Sequence, residues 1–362
     1  MSEIPEDARF ATRAVHAGLD PDPTYGSVIP AVHFTSTYVQ PSPGEFVGAF
    51  DYSRAGNPTR HQLEKALGQL EGGFGTAFSS GMAATHALIT AHCKAGDHVV
   101  LPDDLYGGTY RLVDKILVHW GLEYTMVDQR DVNAVAGAIR ENTRMIWVET
   151  PTNPTLKVID IASVVASAGD ILVAVDNTFA TPVHQRPLEL GAGAVVHSTT
   201  KYLGGHSDVV GGAVIVDDEA LHSKVRFIQL SVGAVPGPMD CFLVHRGIRT
   251  LHLRMAAGQV NAQAVVAALR GTGGVTEVFY PGYGSMVSFR HPDALGIVSR
   301  TRLFSLAESL GGVESLIEVP QAMTHQSVEG SAAAVPPDLV RLSCGIEAPE
   351  DLVEDLRRAI SG

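Results

Sequence analysis

The sequence predicts an α/β fold built on a mainly parallel sheet, and two observations carry that prediction. Apolar runs of strand length recur at HVVLP (98–102), MIWVE (145–149), ILVAVDN (171–177), AVVHS (194–198) and GGAVIVDD (211–218), and stretches long enough for helices separate several of them. Each run has an unbroken apolar stretch of three or more residues, which indicates strands covered on both faces by helices. In such sheets ligands gather at the carboxyl ends of the strands.

The elements follow in order. Residues 1–48 carry Pro and Gly punctuation (DPDPTYGSVIP, QPSPGEF) with little helical periodicity, and read as an arm lying on something else, a partner subunit being one candidate. A helix begins at Asn57 as N-cap with Pro58 at its first position, continues through Leu63, Ala66, Leu67 and Leu70, and stops at Gly72 and Gly73. The sheet domain then occupies 49–245. A second domain is expected over 246–362, opening on helical RGIRTLHLRMAAGQVNAQAVVAALR and closing on PEDLVEDLRRAI, which places Leu352, Val353, Leu356 and Ile360 on one face.

Composition removes several classes of function. The chain has 362 residues, 45% of them hydrophobic, which is enough for a large core in about two domains. Its net charge of −13, with no stripe of Lys or Arg, argues against nucleic acid as a partner. The acidic N-terminus lacks an apolar leader, and no apolar run is long enough to span a bilayer, so a cytoplasmic location away from membranes is expected. The three cysteines, Cys93, Cys241 and Cys344, are too far apart for a CxxC site and read as small buried apolar residues. No GxGxxG supports a nicotinamide fold and no HExxH supports a zinc hydrolase, so no metal is expected.

Lys201 is one of six lysines, and it follows the strand AVVHS directly in HSTTKYLGGHSDVVGG. A partly desolvated lysine at a strand end can form an imine with a carbonyl group. Taken alone it reads as a surface lysine on a glycine-rich loop, but its company favours chemistry. Ser198 and Thr200 offer hydroxyls to phosphate oxygens, and FSSGMAATHALITAH offers a helix N-terminus that favours an anion. Asp176 ends a strand in VDNTF; such a carboxylate serves either as a turn or cap residue, or as the partner of a pyridine nitrogen. Tyr106, in DDLYGGTYR, is either core or a ring stacked on a cofactor.

Together these segments, with DYSRAGNPTR, WVETPTNPTLKVIDI, GAVPGPMDCFLVHRGIRTLHLRM, LFSLAESLGGVESLIEVPQAMTH and RLSCGIE, resemble the Cys/Met-metabolism family of pyridoxal phosphate enzymes, which contains cystathionine γ-synthases and γ-lyases. The resemblance implies fold type I, with a mainly parallel seven-stranded sheet and a smaller α/β C-terminal domain. It implies pyridoxal 5'-phosphate bound to Lys201, with Asp176 at the ring nitrogen and Tyr106 stacked on the ring. The phosphate is expected on Gly81, Met82, Ser198 and Thr200. Tyr52 and Arg54, of the YSR motif, are expected to reach a neighbouring subunit's phosphate, which makes a homodimer the smallest active unit and a homotetramer the usual one. Asn153 and Arg341 match the holders of the substrate carboxylate. Ser315 is expected beside Lys201, and Glu314 at a position that influences substrate choice.

The activity implied lies at Cγ of an L-amino acid, with Lys201 moving protons and Tyr106 assisting the departing γ-group. Elimination of the cystathionine γ-lyase type, giving cysteine, 2-oxobutanoate and ammonia, is favoured by VIDI, GAVPGPMDCFL and RGIRTLHLRM. The γ-synthase outcome, suggested by His33 in PAVHFTSTY, and a γ-lyase acting on another γ-substituted amino acid stay open. The chain also departs from the family pattern. Only YGS separates YPG from MVSF, where about twenty further residues are usual; Leu230 follows Gln229; and Gln326 stands where alanine is common. A methionine γ-lyase falls, because Gly107 and not cysteine follows Tyr106.

Overall fold

The computed structural model describes residues 4–5, 7–325 and 334–362. Seven strands form the main sheet: β1 (Phe74–Phe78), β2 (His98–Pro102), β3 (Glu123–Val127), β4 (Thr143–Glu149), β5 (Leu172–Asp176), β6 (Ala194–His197) and β7 (Gly212–Val216), in the order β1-β7-β6-β5-β4-β2-β3. From β3 to β6 all neighbours run parallel, while β7 is antiparallel to both β6 and β1. The five apolar runs read from the sequence are β2, β4, β5, β6 and β7. The sequence reading omitted β1 and β3, the two edge strands, since FGTAF is short and glycine-bearing and EYTMV is only half covered.

Helices cover both faces. One core packs Phe78, Leu88, Leu101, Trp147 and Val196 beneath helix 81–92, and on the opposite face another packs Leu63, Leu67, Val195, Ile215 and Ile248. Helix Pro58–Glu71 begins and ends where its caps place it: the Asn57 side chain accepts the N–H groups of Thr59 and Arg60, and Gly72 takes the left-handed conformation at φ 98°. The stretch read as one long helix from 246 is two, Pro238–Ile248 and Leu251–Leu269, broken at Arg249 and Thr250. The boundary between the two cores falls inside the second of these. Leu251 and Met255 join the core of the main sheet, whereas Ala262, Val265 and Leu269 join the C-terminal core.

The C-terminal part carries a five-stranded sheet in the order β10-β11-β12-β9-β8, where β8 is Glu277–Phe279, β9 Met286–Arg290, β10 Ser305–Leu306, β11 Leu316–Glu318 and β12 Leu339–Ser343. Helix Pro349–Ser361 lays Leu352, Leu356 and Ala359 on it. The shortened segment between YPG and MVSF is a tight connection from β8 to β9, in which the Tyr280 hydroxyl donates to the carbonyl of Gly284 and Tyr283 packs against His184 at 5.1 Å. The N-terminal arm has one short helix, Phe10–His16, and beyond it leaves Tyr25, Val28, Phe34, Val39 and Val47 largely bare. Among the described residues, no helix is long and apolar enough to cross a membrane.

Candidate active site

The carboxyl ends of β2, β4, β5 and β6 converge on a cavity of about 300 Å³. Lys201, Asp176, Tyr106, Gly81, Met82, Ser198, Thr200, Asn153 and Arg341 all line it. Lys201 reaches it from the turn after β6, and its Nζ donates to Ser309 Oγ at 2.6 Å. Burial, assisted by the Arg341 guanidinium, lowers this amine to about 8, so that about a tenth of it is neutral at pH 7. Asp176, the last residue of β5, accepts the N–H of Thr178 at 3.0 Å, and burial raises its carboxyl. Tyr106 stands at the N-terminal boundary of helix Gly107–Lys115, and its ring lies over Gly108, where a Cβ would collide with the ring and with Met82 Sδ. Burial raises its phenol above the ordinary value.

An anion cradle lies beside these groups. Helix Gly81–His92 is capped by Ser80, whose hydroxyl accepts the N–H of Ala83 at 3.0 Å. That leaves Gly81 and Met82 in the first turn, where an N–H has no intrahelical acceptor. The approach is close: a Cβ on Gly81 would stand 2.8 Å from Ser198 Cβ. Thr200 Oγ1 accepts the Gly211 N–H at 3.0 Å and holds the glycine loop against the cradle. Helix N–H groups flanked by two hydroxyls, an amine of lowered basicity and a carboxylate at a strand end form a donor set that fits a phosphorylated pyridine aldehyde.

Opposite the cradle, Arg341 projects from β12, almost fully buried, with Glu318 of β11 as its cross-strand neighbour. Its Nη1 donates to Asn153 Oδ1 at 2.8 Å, and its Nη2 donates to the carbonyl of Ser309 at 2.9 Å and pairs with Glu318 at 3.1 Å. His325 closes this side, its Nε2 3.2 Å from the Asn153 carbonyl; burial and Arg341 lower it to about 4, which keeps it neutral.

Two expected neighbours are elsewhere. The Ser315 hydroxyl donates to Glu347 Oε2 at 2.9 Å and accepts the Gly345 N–H at 2.9 Å, so it is spent on the C-terminal sheet; Ser309 holds the place beside Lys201. Glu314 bonds the Ser207 hydroxyl and lines an adjoining depression, whereas Glu308 lines the main cavity. Tyr52 and Arg54 do not line their own chain's cavity; the Arg54 guanidinium sits 5.4 Å over the Tyr52 ring and donates to the Leu230 carbonyl at 2.7 Å. Gln326 lies outside the described residues. Glu149, a cavity-lining carboxylate that ends β4, lies within WVETPTNPTLKVIDI, but the sequence assigns it no role.

This sheet order, with a lysine, a buried carboxylate and an anion cradle at the strand ends, fits a pyridoxal phosphate enzyme of fold type I. Over residues 11–361 the chain matches the family described as Cys/Met metabolism PLP-dependent enzyme, and it belongs to that family. It is 50% identical to the cystathionine gamma-synthase of Mycobacterium bovis over 373 residues, covering 97% of this chain and 96% of that one. It is 46% identical to the cystathionine beta-lyase of Lactococcus lactis, covering 96% and 98%. The crystal structure of cystathionine gamma-lyase from Lactobacillus plantarum complexed with L-serine superposes with a TM-score of 0.95 at 39% identity, covering 98% of this chain and 99% of that one. The chain is therefore a pyridoxal phosphate-dependent carbon–sulfur lyase or synthase.

Proposed function

We propose that the enzyme acts at Cγ of an L-amino acid, replacing or eliminating a γ-substituent. The observation that carries this reading is Ser309, whose hydroxyl takes Lys201 Nζ and whose carbonyl takes Arg341 Nη2. A substrate whose carboxylate rests on Arg341 and Asn153 thereby has its Cα held near the Lys201 amine. Bound pyridoxal phosphate supplies the electron sink for charge left on a substrate carbon. Lys201, of lowered basicity, takes the proton at Cα, releases it within the site, and then takes a proton from Cβ, whose loss lets the γ-group leave. Tyr106, which lines the same cavity, donates to the departing γ-group. The buried wall of Arg341, Asn153 and His325 keeps water from the carboxylate end.

Replacement by a thiol, the synthase outcome, is the reading supported by the half-identical mycobacterial synthase. Elimination is the second reading, supported by the Lactobacillus γ-lyase likeness together with the γ-lyase-like segments of this chain. The test is a product assay. Activated homoserine esters with cysteine are expected to give cystathionine, and cystathionine alone to give 2-oxobutanoate more slowly. Pyruvate as the only oxo-acid product would overturn action at Cγ in favour of β-elimination. We further propose that the active unit is at least a dimer.

A further inference from the structure

Glu149 has no part in the reaction as described, yet it stands at the junction of the groups that do. It closes β4 and is the register partner of Asp176 at the end of β5, so two carboxyl groups share one wall of the cavity. Burial and the Asp176 charge push it well above the ordinary carboxylate range. A second carboxylate so placed is costly to keep unless its oxygens are well partnered. They are: Oε2 accepts the Tyr106 N–H at 2.9 Å and Oε1 accepts the Asn153 N–H at 2.9 Å. These two residues lie in loops that leave different strands, β2 and β4, and reach different parts of a substrate.

We propose that Glu149 is a positioning residue, one side chain that sets the separation between the proton-donating Tyr106 and the carboxylate-holding Asn153. The proposal rests on the roles given above to those two residues. The same loops are joined a second time farther out. Asp104 accepts the hydroxyls of Thr152 and Thr155, and Lys157 donates to Asp103 at 2.8 Å. Loosening Glu149 therefore leaves the loops attached and alters only their alignment at the cavity.

The test uses Glu149→Gln in the cofactor-loaded enzyme. A carboxamide keeps the shape but has one accepting oxygen, and its NH₂ confronts the other N–H. Hydrogen exchange at the Tyr106 amide, the Asn153 amide or both is expected to speed by about tenfold or more, with the amides of β2 and β5 unchanged. The visible circular dichroism of the bound cofactor, which reports the ring's surroundings, is expected to fall. Turnover is expected to drop by about tenfold or more. Unchanged exchange at both amides, or exchange accelerated evenly along the chain, would overturn the proposal, the second because it marks a role in stability alone. Should the variant not fold, the wild-type enzyme decides: both amides must exchange slowly, and fast exchange at either one overturns the proposal. Exchange and dichroism are read without substrate, so they can succeed even where the product assay overturns action at Cγ.

Discussion

Lys201 is a lysine whose charge is disfavoured where it stands, and this has a thermodynamic consequence. Its folded value of about 8 lies below that of a free lysine, about 10.4, so between the two the unfolded chain holds a proton that the folded chain does not. Its contribution to stability therefore rises with pH across that interval. Below about pH 8 the full penalty of burying the ammonium applies, on the order of 3 kcal/mol. In the cofactor-free protein, Lys201→Met is expected to be more stable than wild type at pH 7 by about 2 kcal/mol, after allowing about 1 kcal/mol for the donor lost to Ser309. The advantage should shrink as pH approaches 10. Urea unfolding of both proteins at pH 7 and pH 9.5, at equal protein concentration, checks this; a wild type that is the more stable at pH 7 refutes it.

At the scale of elements, the helix that follows Tyr106 owes its first turn to glycines. Alanine at Gly108 would favour the helix by up to about 1 kcal/mol, but its Cβ collides with the Tyr106 ring, which can escape only by swinging. Gly108→Ala is expected to unfold within about 1 kcal/mol of wild type while losing cofactor affinity by about tenfold or more. Melting of the cofactor-free protein and titration with pyridoxal phosphate separate the two effects; unchanged affinity would mean that the ring's placement is immaterial. Legibility in the sequence also divides at this scale. Helix Pro58–Glu71 could be read because both its ends carry cap chemistry, and the inner strands because burial on both faces gives each an unbroken apolar centre with polar residues only towards its ends. The edge strands β1 and β3 lack that signature. Nine of the thirteen residues expected at the site share one cavity; eight of these lie at or just beyond a strand or helix end, and Arg341 stands in the middle of β12. The serine was misplaced because AESLGGVESL repeats Glu-Ser-Leu after six residues, and only the pairing of β11 decides which copy faces Lys201. Ser309 lies in the left-handed region at φ 94°, which turns the loop towards the cavity, while Ser315 leads straight into β11. Glu149 was invisible for another reason: nothing in the local sequence tells which N–H groups a strand-end carboxylate will accept.

For the whole molecule, the arm is the unresolved demand. Tyr25, Val28, Phe34, Val39 and Val47 are each more than two-thirds exposed on a single chain, a row of apolar side chains that a lone protomer has no means to cover. Tyr52 and Arg54 follow this arm on the outside of the chain, with one Arg54 nitrogen held by the Leu230 carbonyl and the guanidinium otherwise turned towards the Tyr52 ring. An arginine and a tyrosine presented outward suit a phosphate held by another copy of the chain. If each site is completed in this way, an Arg54→Ala chain lacks one part of every site and a Lys201→Ala chain another, so neither homo-oligomer turns over. A mixed dimer has one site that takes Lys201 from one chain and Arg54 from the other. Mixing the two inactive proteins under conditions that exchange subunits is expected to restore up to about a quarter of wild-type activity, since random pairing makes half of the dimers mixed and each carries one intact site. The measurement is activity against the fraction of mixed dimers, counted by native mass spectrometry. Recovery proportional to that fraction supports shared sites; none in verified mixed dimers would place each complete site within one chain and leave the arm a purely adhesive part.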